Sequence, residues 1–202
     1  MTKWFQNKYW QWGLLLISNF FLLQAGSARA VPEILVPPSP FKGLNGLRFD
    51  STGQLYVGSV AEQTIYKVDV ATGKYEVFLK SPDGQADDFI FTPNGQIFYT
   101  ALLSSEVRTF DCQANKVTTI AAGIPAVDPI AQDKSGRIFI GQSLSLKNTG
   151  LYELDPTGQN SPRLILNKPG LNAFDFGSDG LLYSPLQFTG EIIKINVDTG
   201  AI

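Results

Sequence analysis

The sequence predicts an all-β fold, a β-propeller of four-stranded antiparallel blades, on three observations. A glycine followed two residues later by an aliphatic-aromatic pair recurs four times: Gly53 with Leu55-Tyr56, Gly95 with Ile97-Phe98, Gly136 with Ile138-Phe139 and Gly180 with Leu182-Tyr183. These glycines are 42, 41 and 44 residues apart, a period typical of propeller blades and similar repeat arrays. The segments between Gly, Pro, Asn and Asp turns are short and rich in β-branched and aromatic residues, and beyond residue 30 no helical periodicity persists past about ten residues.

Each copy repeats one order of elements. An apolar strand runs into a tight turn (Ser51-Thr52-Gly53, Thr92-Pro93-Asn94-Gly95) and a second strand follows, which makes a hairpin. A third strand with partial apolar-polar alternation comes next: 65–70, 107–110, 151–154 and 192–195. A fourth is expected at 75–79, 117–120 and 163–166 in the first three copies. The blades therefore fall roughly at 44–80, 87–122, 127–167 and 171–202. The last copy ends after its third strand, and Glu33-Ile34-Leu35-Val36 has the character of a fourth strand without a blade, so 33–36 is expected to close the ring as its outer strand. Closure of that kind limits exposed sheet edges. Two arrangements fit: a closed four-bladed ring, or four blades of a longer, six-bladed propeller.

Residues 1–30 read as a signal peptide ahead of the propeller at 31–202. Lys3 and Lys8 precede an apolar stretch from Gly13 to Ala25, and Ala28-Arg29-Ala30 offers small residues where a signal peptidase cuts. The stretch is shorter than the ~20 residues a spanning helix needs. A retained anchor is the alternative, since Trp4, Trp10 and Trp12 suit a membrane interface. The expected destination is export, periplasmic or secreted. Residues 1–30 hold Lys3, Lys8 and Arg29 and no acidic residue, so 31–202 carries 13 basic against 18 acidic side chains. A mildly acidic surface argues against nucleic acid or an anionic membrane as partner.

The chain contains one cysteine and no histidine. Cys112 follows an apolar strand and reads as a turn or packing residue. The lack of histidine removes Ser-His and Cys-His nucleophiles and every His-bearing zinc or iron site. Any chemistry must run on carboxylates, amides, hydroxyls, Lys or Arg.

Eight residues before each anchoring glycine stands an oxygen-bearing side chain: Asn45, Asp87, Asp128 and Asn172. If the first strand of each blade is innermost, these residues face the channel at one end and form a ring of hard oxygen donors suited to Ca²⁺ or Mg²⁺. Asn and Asp also serve turns, and Asn45-Gly46 is itself a turn dipeptide, so a purely conformational role is the competing reading.

The segment Asn45-Gly46-Leu47-Arg48-Phe49-Asp50-Ser51-Thr52-Gly53-Gln54-Leu55-Tyr56-Val57 resembles the Asn-Gly-Leu-x-Phe-Asp-x-x-Gly-x-Leu-Tyr-Val motif of the SMP-30/gluconolactonase/luciferin-regenerating family. Weaker likeness extends over 128–141 and 172–183, and the hairpin motif is shared with NHL-repeat proteins, strictosidine-synthase-like proteins and streptogramin lyases. The resemblance implies a six-bladed propeller that binds one divalent cation, usually Ca²⁺, at the channel mouth and hydrolyses lactones or phosphoesters. Metal ligands would be Asn45, Asp87, Asp128 and Asn172, with Asp87 or Asp128 the candidate catalytic base. Two departures stand against it. No acidic residue in the segment before the first blade matches the family's early Glu-x-Pro ligand, Glu33 having no such context, and the chain is about two blades short of six. The resemblance thus implies an exported, divalent-cation-dependent, gluconolactonase-type hydrolase acting on a small-molecule substrate, a lactone or related ester. The alternatives are a non-catalytic binding or scaffold propeller, a truncated family member, and a lyase of the streptogramin type, the last disfavoured by the lack of histidine.

Overall fold

The first turn of the first, third and fourth blades is organised by a carboxylate, Asp50, Asp133 and Asp179, and that of the second by Thr92 and Asn94. In the computed structural model, which describes residues 32–37, 41–144 and 149–202, Asp50 Oδ1 accepts from the Thr52 and Gln54 N–H groups at 2.9 and 3.0 Å. Asp133 Oδ1 does the same for Ser135 and Arg137, at 2.9 and 3.0 Å. The turns close through Gly53 at φ +84° and Gly136 at φ +91°. A side chain there would be strained, which is why the repeat is anchored on glycine.

The strands fall close to where the repeat puts them. The first blade holds β1 Leu44–Phe49, β2 Leu55–Ser59, β3 Thr64–Val68 and β4 Tyr75–Leu79. The second holds β5 Phe89–Phe91, β6 Ile97–Ala101, β7 Glu106–Asp111 and β8 Lys116–Ala122. The third holds β9 Val127–Gln132, β10 Ile138–Gln142, β11 Leu151–Leu154 and β12 Arg163–Leu166, and the fourth β13 Asp175–Phe176, β14 Leu182–Pro185 and β15 Ile192–Ile195. Neighbours in sequence are antiparallel neighbours in space throughout, so each sheet is a meander. These are four successive blades of a β-propeller, within the unit Ile34–Ile202. No helix among the described residues is long and apolar enough to cross a membrane. The signal-peptide expectation for residues 1–30 lies outside the described residues.

The cores lie between blades, because alternate residues of a strand point to opposite faces. Ile97 and Tyr99 of β6 face the first blade, packing with Tyr56, Ile65 and Leu79, while Phe98 between them faces the third, with Val127, Ile130 and Ile138. Likewise Phe139 of β10 joins Phe174, Leu182 and Ile195 of the fourth blade. That two-sided burial leaves β6 and β10 buried along their whole length, and β2 is equally buried, with the second blade on one face and Val36 on the other, which accounts for their reading as continuous apolar runs.

The expectation that Glu33-Ile34-Leu35-Val36 closes the last blade is not met. Residues 32–37 form no strand, the fourth sheet has three strands, and Val36 packs instead on Leu55, Val57 and Val68 of the first blade. Those three side chains lie on the first blade's outward face, where no other blade covers them among the described residues. Burial there, at roughly 25 cal/mol per Å² of apolar area, favours that seat for the segment. Among the described residues no apolar core joins the fourth blade to the first.

Candidate functional site

The inner ends of the four blades are drawn together by a close approach of backbones. Gly46 lies within β1, not in a turn, and a Cβ there would come within 2.7 Å of the Asp87 carbonyl oxygen and 3.0 Å of the Phe89 ring. The glycine of Asn45-Gly46 thus lets the first blade touch the second. Asp87 is fixed in turn by its N–H, which donates to the Thr100 carbonyl at 2.9 Å. The Thr100 hydroxyl donates across to the Asp128 carbonyl oxygen at 2.5 Å, joining second and third blades. Asn172 sits before β13, with its N–H toward the Pro185 carbonyl at 3.3 Å.

These contacts bring Asn45, Asp87, Asp128 and Asn172 into one chain of polar side chains. The Asn45 carboxamide donates to Asp87 Oδ1 at 2.9 Å. At the other end Asn172 Nδ2 donates to Asp128 Oδ2 at 3.0 Å and to Gln187 Oε1 at 3.2 Å. Asp87 and Asp128 are both buried and adjoin each other in the middle. Burial, first, and the hydrogen bond and negative charge of Asp128, next, push the Asp87 carboxyl up to about 8, against the opposing pull of Asn45. Asp87 Oδ2 meets no donor in this setting; carrying a proton, it becomes a donor itself and can give it to Asp128.

The cluster opens onto a cavity of about 400 Å³ whose lining includes Asn45, Leu47, Arg48, Asp88, Asp128, Asn172, Phe174 and Asp175. Asp87 is not part of this lining, so of the Asp87–Asp128 pair Asp128 is the one that faces the cavity, alongside Asp88 and Asp175. Among the described residues no three carboxylate, thiol or imidazole side chains gather as a metal-binding group; a cation here would rest on two carboxylates and two carboxamides. Cys112 is exposed and remote from this cluster in the turn between β7 and β8.

Sequence reasoning missed Asp88 and Arg48. Asp88 is half-buried, accepts from the Phe89 and Ile130 N–H groups at 2.9 and 3.2 Å, and pairs with Arg48 at 3.3 Å, so one carboxylate ties three blades. Burial raises its pKa and Arg48 opposes the rise. Arg48 also donates from Nε to the Phe89 carbonyl at 3.1 Å. The signal available was the second acid directly after Asp87.

No protein-family model and no curated protein matches the chain. Solved structures do. A gluconolactonase from Xanthomonas campestris superposes with a TM-score of 0.67 at 14% identity, over 83% of this chain and 62% of that one. A chain of the nidogen/laminin complex gives 0.71 at 16%, over 81% and 64%, and virginiamycin B lyase from Staphylococcus aureus 0.50 at 16%, over 77% and 56%. The chain therefore spans less than two thirds of each of these structures. At such identities the likeness is one of fold, and the β-propeller it shows serves a lactonase, a lyase and a protein complex alike.

Proposed function

We propose that this chain is an exported, divalent-cation-dependent hydrolase of the gluconolactonase type, acting on a lactone or related ester, with Ca²⁺ held by Asn45, Asp87, Asp128 and Asn172. The observation that carries the reading is the buried, donor-less Oδ2 of Asp87 beside a second carboxylate. Two adjacent buried carboxylates destabilise each other, and a hard cation relieves that cost better than a shared proton. The donor set fits such an ion, since all four side chains offer oxygens and the two carboxamides present theirs by turning about the terminal torsion. Export is supported by Lys3, Lys8 and the short apolar stretch after them.

When bound, the cation would act as a Lewis acid toward the scissile carbonyl. The chain's own residues do the rest. Asp128, facing the cavity, takes the proton from the attacking water as general base. Asp87, beside Asp128, would share the cation with it. Before the cation binds, Asn172 Nδ2 donates to both Asp128 and Gln187 and so fixes the orientation of that carboxylate. Leu47 and Phe174 give the cavity an apolar wall, and its size suits a sugar-sized lactone.

The test is proton release from gluconolactone above the buffer rate, in Ca²⁺, for the chain and its Asp128→Ala and Asp87→Ala variants. Asp128→Ala is expected to lower kcat/KM by about 10²-fold or more; unchanged hydrolysis would remove Asp128 from the mechanism. One observation favours a second reading, a binding propeller without catalysis: the two Asn–Asp hydrogen bonds already tie the blades together. Cation binding without hydrolysis would select it.

A further inference from the structure

We propose that Arg48 is the specificity-determining residue of the cavity, its guanidinium holding a hydroxyl oxygen of the substrate at the end remote from the reacting carbonyl. The assignment rests on the lactonase reading above and gives that site a second point of recognition. Of the side chains lining the cavity, Leu47 and Phe174 are apolar, the ionised Asp88, Asp128 and Asp175 only accept hydrogen bonds, and Arg48 is the one cation. A hydroxyl suits such a lining, because its oxygen accepts from Arg48 while its proton goes to a carboxylate. An anionic substituent does not suit it, since Asp88 already offsets the charge of Arg48, and Asp128 and Asp175 stand in the same lining.

Arg48 is held ready by the residues behind it. From β1 its side chain reaches the second blade, donating from Nε to the Phe89 carbonyl at 3.1 Å and from Nη2 to Asp88 Oδ2 at 3.3 Å. Those bonds use one N–H of each nitrogen. Both N–H groups of Nη1 and the second of Nη2 have no partner among the described residues. The Arg48 side chain is 34% exposed and that of Asp88 is 14% exposed, so the guanidinium is fixed on one edge and open on the other. A planar fork pinned in this way has given up its rotamer freedom before a ligand arrives, which strengthens the contact it makes.

Asp88 also sets the span between Arg48 and the reacting centre. The Oδ2 atom that takes Arg48 accepts as well from the Ile130 N–H at 3.2 Å. Ile130 stands two residues after Asp128 on β9, a step of about 7 Å along a strand. Asp128 and Arg48 thus face the same cavity about one hydroxylated ring apart. A lactone whose carbonyl meets Asp128 presents its far hydroxyls to Arg48, whereas the same ring without hydroxyls leaves Nη1 without a partner.

The test compares gluconolactone with δ-valerolactone, the same ring without hydroxyls, on the full chain in Ca²⁺ and on its Arg48→Met variant. The ratio of kcat/KM for gluconolactone to that for δ-valerolactone is expected to fall about 10-fold or more, through KM, the size of one hydrogen bond to a charged donor. A merely structural role lowers both lactones together; a ratio that stays put overturns the proposal. Should Arg48→Met lose the cooperative melt of the parent, Arg48→Lys carries the same comparison, since it keeps a charge beside Asp88 and loses the fork. Binding of anhydroglucitol, a hydroxylated ring with no bond to hydrolyse, gives a readout apart from catalysis and is expected to weaken about 10-fold in the variant. If the parent hydrolyses neither lactone yet binds anhydroglucitol through Arg48, the recognition point stands and the lactonase reading falls. If it hydrolyses both with the ratio unmoved by the substitution, the reverse holds. A parent that neither hydrolyses nor binds overturns both.

Discussion

Asp87→Asn is expected to stabilise the cation-free protein at pH 8 and to abolish its response to Ca²⁺. In the parent, Asp87 is buried against Asp128, and one of its oxygens meets no donor. Asparagine is nearly isosteric: its Oδ1 can keep the bond from Asn45, and its amide can donate to Asp128. Removing a buried unsatisfied polar group contributes about 1–3 kcal/mol, or about 2–10 °C in melting temperature for a domain of this size. The pH dependence has a definite sign. The Asp87 carboxyl is raised in the folded state, to about 8, so its contribution to stability is fully present below the unfolded value of about 3.9 and is lost as pH rises through the folded one. The difference between parent and variant should therefore widen from pH 4 to 8. Ca²⁺ competes with the proton and should bind the parent more strongly as pH rises. Thermal melts of both proteins across this range, with and without Ca²⁺, check both halves; a variant no more stable than the parent at pH 8 would mean that the carboxylate pair carries no strain.

Phe139→Ala is expected to cost about 3–5 kcal/mol, the usual range for deleting a fully buried ring. Phe139 lies at the centre of the core between third and fourth blades, tilted against Phe176 with the Arg137 guanidinium 5.3 Å from its centroid. The cavity left behind cannot collapse readily, because Leu171, Phe174 and Leu182 are held by strands and turns on the far side. The same repeat position in the fourth blade is Tyr183, exposed in the single chain, where Tyr183→Ala should cost no more than about 0.5 kcal/mol in the monomer. Urea unfolding of the two variants gives the contrast directly. Equal costs would contradict the assignment of the cores to the spaces between blades.

The strands were legible because a 41–44-residue period and two-residue alternation repeat four times over. The column of Asn45, Asp87, Asp128 and Asn172 was legible for the same reason, since equivalent residues of successive blades must converge near the channel. Its internal order was not. That Asp87 lies behind Asp128 with its carboxyl pKa raised depends on burial, which no single blade encodes. Asp88 escaped notice because its equivalents are Gly46, Pro129 and Ala173; a contact that ties three blades once has no period. Gly46 reads as half of a turn dipeptide, yet its role is the close approach of β1 to the Asp87 carbonyl. Glu33-Ile34-Leu35-Val36 has the pattern of an edge strand and equally that of an apolar cover. What decides between them is the uncovered face of Leu55, Val57 and Val68, a property of the assembled blade and not of the tetrapeptide.

The central claim, that the Asp87–Asp128 pair and its flanking asparagines hold a divalent cation, is tested most directly by the melting midpoint of the chain at pH 8 in increasing Ca²⁺ and in chelator. The midpoint is expected to climb with Ca²⁺, by about 2.7 kcal/mol of added stability at a hundred times the dissociation constant, and to fall back with chelator. A midpoint that stays put in Ca²⁺, Mg²⁺ and chelator alike would contradict it and leave the four residues as hydrogen-bonded ties between blades.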